Sequence, residues 1–484
     1  MAFDAKAVGT CLSSSALVGA AFAICGCGSL SGFTGPEVDP SGDVPDASIA
    51  EDEDAARTRD AMGAGVPKTC ATEQPDEAHA IFVSTSGTTA PNCGSKTLPC
   101  GTLALGVQRA KIVLGTEIIY VDSGKYVESV QLIGGIRIQG GWDDVGGAWH
   151  RQCTGTRAAS VKIRGAGGKG VVAKDLTMPA VLDTLTIELA DGGSGQSLYG
   201  VFASGTSTSL TLVDVSVVVG NAGAGASGST GADGQNTAAN CTGTSGADGA
   251  MGAKGANGAS GTFGPNGYTP GASGATGGSG GAGTGTAGGA ASSNGPTQCV
   301  ASCATTCGGP GTCSCNVSYT SAGTIGSQPG TGGCGGEGGR EGAGGEGGAS
   351  AVGVFAWDAR VTIAGGSVRS GDGGSGGNGG AGGSGASGSP GTKGSDASCV
   401  GECRQVGFSC QSNALTTIPG GAAGATGGSG GKGGTGGGGA GGASYAIFRG
   451  PTAVVATNGA ALGHGPGGAG AAGAPTGNAG DIGP

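Results

Sequence analysis

Aromatic residues make up only 4% of the 484-residue chain, so much of it lacks the side chains from which an ordinary core is built. Basic residues are scarce too. Lys and Arg number 23 against 33 acidic residues, a formal charge of −10, and a chain without basic patches cannot neutralise nucleic-acid phosphates. Only three histidines occur, His79, His150 and His464, and no two cysteines have the two-residue gap of a zinc site. Phosphate-loop and calcium-nonapeptide motifs are missing, as is a nucleophile elbow in a strand–turn–helix context. No cofactor or metal is therefore expected, and the expected role is non-enzymatic. After the first residues, no segment reaches the roughly 20 apolar residues of a membrane span.

The first residues have the order of an export signal: Lys6, then a small and apolar run from Ala7 to Ile24. Ile24-Cys25-Gly26-Cys27 resembles a bacterial lipobox, which implies cleavage after residue 26 and a lipid on Cys27. A plain secretory signal is the alternative. The reading assigns 1–27 to export and 28–77, rich in Gly, Pro, Ser and acid including Glu51-Asp-Glu-Asp54, to a flexible acidic linker. Of the 17 cysteines, 14 remain beyond Cys27, an even number suited to disulfides in an oxidising compartment. They are Cys70, Cys93, Cys100, Cys153, Cys241, Cys299, Cys303, Cys307, Cys313, Cys315, Cys334, Cys399, Cys403 and Cys410. Cys93 and Cys100 bracket a short loop and are placed to pair locally, and Cys70 and Cys153 to clip the start of the fold. The other pairings stay open.

From residue 78 short β-type runs alternate with glycine-containing turns: Ala80-Ile-Phe-Val83, Glu117-Ile-Ile-Tyr-Val121, Val127–Val130 and Gly135-Ile-Arg-Ile138. Thr102–Ile112 has apolar residues at helical spacing. This order resembles the start of right-handed parallel β-helix domains of the pectin-lyase-like group. The resemblance implies an all-β fold in which that helix caps the first coil. An antiparallel sandwich is the alternative, since it also uses many short strands.

One script then recurs three times. Leu198-Tyr-Gly-Val-Phe-Ala-Ser204 with Leu210–Val219 returns as Ala351-Val-Gly-Val-Phe-Ala-Trp357 with Arg360–Ile363 and Ser367-Val368, and again as Tyr445-Ala-Ile-Phe-Arg449 with Ala453–Val455 and Ala460–Leu462. Short strands that cannot bury a face alone must stack on their copies. Leu185, Ile187, Leu210, Leu212, Val215 and Val217 are the expected inward ladder. The coils are assigned to 78–220, 349–370 and 443–463, with glycine-rich insertions at 221–348 and 371–442 and a glycine-rich tail at 464–484.

Glycine numbers 118, and it recurs every third residue without a miss over 243–267, 330–348, 373–394 and 421–442. Three residues per turn is the polyproline-II repeat, in which one glycine face admits a neighbouring backbone. With only 19 prolines, the reading favours intramolecular hairpins of polyproline-II arms over a collagen triple helix; a flexible chain is the alternative. The glycine runs also resemble the repeats of mycobacterial PE-PGRS proteins, but the PE domain is lacking, so nothing about partners carries over.

These features point to an exported surface protein, lipid-anchored at the outer membrane or cell surface or else secreted, with a structural or adhesive role. Its expected partners are the membrane through the lipid, a polysaccharide matrix and other surface proteins. The alternative is a polysaccharide-cleaving β-helix enzyme, lyase or glycoside hydrolase, which would need grouped carboxylates. Asp183, Glu188, Asp191 and Asp214 are the acids available on the coils, and turn or strand-edge roles are expected for them.

Overall fold

The computed structural model describes residues 73–484 except 153–156, 237–240, 242–245, 291–300, 308–312, 320–328, 396, 407–408 and 419–421. Residues 301–307, 313–319, 397–406 and 409–418 are described by their backbone alone. The export segment, Cys27, nearly all of the acidic linker, Cys70, Cys153 and Cys299 lie outside the described residues.

β-Branched and aromatic runs closed by glycine or aspartate turns build three sheets. Sheet I orders Ala80–Thr88, Ile118–Asp122, Arg137–Val145, Ala180–Asp183, Ser209–Val213, Arg360–Ala364 and Val454–Asn458. Sheet II orders Gly124–Val127, Val161–Arg164, Thr186–Leu189, Ser216–Val219, Ser367–Ser370 and Ala461–Gly463. Sheet III orders Val130–Gln131, Lys169–Lys174, Leu198–Ser204, Ala351–Trp357, Ser444–Arg449 and Ala479–Ile482. From Ile118 on, the chain visits sheets I, II and III in turn and comes back one strand further along. Pairing along each sheet is parallel, which rules out the sandwich. The one antiparallel addition is Ala148–Arg151, folded back on Arg137–Val145.

Tight corners need left-handed residues. Between sheets I and II that position is Thr184 (φ +53°), Asp214 (φ +49°) or Gly365 (φ +76°). Inside, Leu185, Ile187, Leu210, Leu212, Val215 and Val217 are all buried in one core. The three copies become neighbours in register: Val201 beside Val354 beside Ile447, and Phe202 beside Phe355 beside Phe448. Sheet III is apolar on both faces, as buried parallel strands tend to be. Val171, Val201, Val354 and Ile447 join the inner core, while Tyr199, Phe202, Val352, Phe355, Tyr445 and Phe448 form a second cluster outside.

The helix Leu103–Ile112 closes the first end of the core. Thr102 caps it by accepting from the Leu105 amide at 3.2 Å, and the Glu128 carboxylate accepts from the Leu103 and Ala104 amides, both at 2.8 Å. Leu103, Val107 and Ala110 are buried against the same core as Ile81 and Val83. A disulfide joins Cys93 to Cys100 just before the helix.

Every glycine-rich excursion leaves sheet II and re-enters at sheet III. Six extended arms result, 221–236, 246–261, 270–290, 329–349, 371–395 and 422–443, numbered here 1 to 6. None is a β-strand over its length, yet their amides bond at a three-residue period. Arm 1 donates to arm 5 through Gly225, Gly228, Gly231 and Gly234; arm 5 donates to arm 4, and arm 4 to arm 1. Arm 6 donates to arm 5 through Gly427, Gly430, Gly433, Gly436, Gly439 and Gly442, and to arm 3 through Gly428, Gly431, Gly434 and Gly437. Arm 4 donates to arm 6, arm 3 to arms 2 and 4, and arm 2 to arm 6. These neighbours define two layers, arms 1, 4 and 3 over arms 5, 6 and 2. A disulfide joins Cys241, which lies in sequence between arms 1 and 2, to Cys334 in arm 4.

Glycine content follows position in these layers. Arms 4 and 6 each touch four others and carry glycine at about two of every three positions; arms 1 and 2, at the margins, carry it at about one. In arm 6 Gly433, Gly434, Gly436 and Gly437 are buried while Lys432 and Thr435 are exposed; in arm 2 Ala250, Met251, Ala253 and Lys254 are all exposed. A Cβ on Gly433 would overlap the Arg340 carbonyl, and one on Gly434 the Ala253 carbonyl.

Three features go beyond the sequence reading. The 243–267 run is interrupted by an antiparallel hairpin, Thr262–Gly264 with Gly267–Thr269, because its two aromatics have an apolar face to cover. The tail contributes the strand Ala479–Ile482, which satisfies the open edge of Ser444–Arg449. The clustered cysteines lie on two antiparallel strand pairs: Cys303 and Cys307 on Ala301–Cys307, Cys313 and Cys315 on Cys313–Tyr319, Cys399 and Cys403 on Ala397–Val406, and Cys410 on Ser409–Ile418.

Candidate binding cleft

The outer aromatic face of sheet III builds an apolar cleft. Phe202, Phe355 and Phe448 stack along the sheet, with ring centroids 4.7 and 5.6 Å apart and planes within 20° and 9°. The hairpin at 262–269 then lies on this column. Its turn, Gly264-Pro265-Asn266-Gly267, ends at Gly267 with φ +107°, where a side chain would be strained and would also strike the Tyr199 ring. The Tyr268 amide donates to the Tyr199 hydroxyl at 2.6 Å, which seats the hairpin. Phe263 stacks on Phe448 at 3.8 Å, and Tyr268 packs on Phe263 at 4.9 Å. Burial pushes the Tyr268 phenol up to about 12.

Beyond the hairpin opens a cleft of about 490 Å³, lined by Phe263, Tyr268, Trp357, Tyr445, Phe448 and Arg449, with Thr262 and Asn478 also in its lining. Trp357 stands parallel to Phe355 at 13°, and Arg449 is the one charged side chain lining the cleft. At the far end of the column Lys169 sits 3.8 Å over the Phe202 ring, and burial holds its ammonium below the usual lysine range.

A second, polar cleft of about 450 Å³ borders sheet I and is lined by Asp76, His79, Glu117, Tyr120 and Arg137 among others. Asp76 and His79 are 3.0 Å apart, and this contact lowers the aspartate and raises the imidazole from their ordinary values.

The four acids singled out in the sequence line neither cleft. Asp183 is buried and accepts from Arg137 at 2.5 Å, Gln139 at 2.7 Å and Thr184 at 2.7 Å. Burial alone would raise its pKa, but these donors outweigh it and hold the carboxyl below its ordinary value. Glu188 is lowered chiefly by the bond from Lys162 at 2.8 Å. Asp191 accepts from the Asn221 amide at 2.7 Å where the arms depart, and Asp214 occupies a left-handed corner. Each has a structural role at its own place.

Sequence reasoning missed Phe263, Tyr268 and Asn478 because they sit alone in glycine-rich stretches. The available signal was one aromatic on each side of a Gly-Pro-Asn-Gly turn. Among the described residues no group of three or more His, Cys, Asp or Glu is placed to hold a metal ion, and no helix is long and apolar enough to cross a membrane. No family model, no curated protein and no solved structure matches the chain.

Proposed function

We propose that this is an exported surface protein, lipid-anchored through Cys27, with a structural or adhesive role toward a polysaccharide matrix or other surface proteins. In this reading the three sheets wind as a right-handed parallel β-helix of the pectin-lyase-like kind, and the arms are polyproline-II helices. The observation that carries it is the two-layered arm bundle. Most inward positions are glycine and the outward positions carry side chains of varied length on backbones fixed by hydrogen bonds, which suits a stiff display surface. The test is labelling of cells with a radioactive fatty acid, together with surface proteolysis and retention of matrix polysaccharide. Labelled wild-type protein, unlabelled Cys27→Ala protein and loss of matrix retention on deletion are expected. An unlabelled wild type in a cytosolic fraction with many free thiols overturns the reading.

A second reading, polysaccharide cleavage, is favoured by the gathering of Asp76, His79 and Glu117 in the polar cleft. New reducing ends released from a polysaccharide by the wild type, and abolished in Asp76→Asn and Glu117→Gln, would support it.

A further inference from the structure

We infer that the cysteine-bearing strand pairs of the two glycine-rich insertions are joined to each other by disulfides, Cys303 and Cys315 of the first pair bonding to cysteines among Cys399, Cys403 and Cys410 of the second. The first pair lies between arms 3 and 4 and the second between arms 5 and 6, so these bonds clamp one layer of the bundle to the other. The inference rests on the export reading for its oxidant alone.

Strand register carries it. In an antiparallel pair, directly opposed residues share a face, and so do residues two or four apart along one strand. Cys307 is opposite Cys313, so Cys303, Cys307, Cys313 and Cys315 all lie on one face of the first pair. Cys410 is opposite Gln405, so Cys403 and Cys410 share a face of the second, while Cys399 lies beyond a register irregularity between Val400 and Cys403.

Distance then sorts the partners. Directly opposed Cα atoms are about 4.5–5.5 Å apart and diagonal ones about 7–8 Å, whereas a disulfide spans about 4.4–6.8 Å. Cys307 and Cys313 are thus placed to bond within their own pair. Cys303 and Cys315 are only diagonal to each other, as are Cys403 and Cys410, and Cys399 is opposite Thr416. Among the described residues, these five have no cysteine directly opposite. The neighbouring pair is close at hand. Cα atoms of Cys313–Tyr319 come within 8 Å of those of Ala397–Val406, and Ala301–Cys307 approaches both Ala397–Val406 and Ser409–Ile418 equally closely. The Cys241–Cys334 bond ties the first insertion to itself; the inferred bonds tie it to the second. Each forms by thiol–disulfide exchange with a disulfide oxidant, protein-borne or glutathione disulfide. The two protons and two electrons that a cysteine pair gives up end on that oxidant as two thiols.

Peptide mapping tests the clamp. Trypsin cuts after Lys254, Arg340, Lys393, Arg404 and Lys432, so the first pair falls in peptide 255–340 and the second in 394–404 and 405–432. Full-length protein is isolated from cells without reductant, its free thiols are blocked with N-ethylmaleimide, and the digest is weighed before and after reduction. Peptide 255–340 is expected to hold 394–404 or 405–432 until reduced, and to lose both in the double variant Cys303→Ser, Cys315→Ser. A link that persists in that variant overturns the assignment. A second sample is reduced and re-oxidised with glutathione disulfide without unfolding. Release of 394–404 and 405–432 from both samples before reduction overturns the clamp, as does cadmium uptake by thiols that resist re-oxidation. A link formed on re-oxidation but absent from the cell-derived protein upholds the clamp geometry and overturns the export reading instead.

Discussion

On the strand Ala351–Trp357, Val354 fills the inner core and Phe355 the outer cluster, so that space on both sides of the backbone is taken up by side chains. In arm 6, Gly433 and Gly434 occupy comparably buried positions with no side chain at all, and neighbouring carbonyls take up the room. Both regions satisfy their backbone groups on adjacent segments. They differ in what fills the interior: apolar area in the sheets, worth ~25 cal/mol per Å² buried, and close backbone approach in the bundle. The sheets therefore fail when a side chain is removed, and the bundle fails when one is added.

The largest effect should come from emptying the sheets. Phe355→Ala removes the ring between Phe202 and Phe448 and is expected to cost about 3–5 kcal/mol in chemical denaturation. Cutting the bundle's covalent link comes next. Cys241→Ser should cost about 2–4 kcal/mol, with hydrogen exchange quickening in the arms before the sheets. Uniform quickening in both regions would show that they do not open separately. Adding one methyl group is the converse test. Gly433→Ala should cost about 1–3 kcal/mol by overpacking, against less than about 0.5 kcal/mol for the exposed Thr435→Ala two residues on. Equal effects would break the comparison outright.

The smallest effect concerns charge within the sheets. Because Asp183 is held below its ordinary 3.8 when folded, its contribution is present above that value and fades as pH falls through the lower folded pKa. Asp183→Asn should cost about 1 kcal/mol at neutral pH and flatten the acid limb of the stability profile. A mutant with an unchanged acid limb would assign the loss to other carboxylates.

The sheet-forming copies were legible because the same residue types recur: Val-Phe at 201–202 and at 354–355, then Ile-Phe at 447–448. Parallel neighbours repeat one another's side chains, so similarity in sequence becomes adjacency in space. The partners of the arms were not legible by that route, since bonds such as Gly434 to Gly278 join backbone groups and carry no residue identity. Glycine per triplet does hold some of the answer, because a position needs glycine wherever another arm lies against it. Gly438 breaks the Lys432, Thr435 sequence of outward side chains where Ala471 of the tail comes close. The cleft was hidden for another reason: Phe263 acquires its meaning only from Phe448, 185 residues away.

The three-residue period has a further consequence. An arm displaced by one full three-residue period would present the same row of backbone donors to the same row of acceptors. Register within the bundle is set by features that break this repeat, among them the hairpin seated on Tyr199, the Cys241–Cys334 bond, and the carboxylates of Asp233 and Asp248 that accept from the Ser384 and Ser429 amides. Over generations, gains and losses of nine nucleotides in an outgoing arm, matched in the returning one, would lengthen or shorten the bundle while every interior contact kept its form. Changes that are not multiples of nine would turn glycine away from its neighbours, so the coding sequence should vary in length by discrete steps.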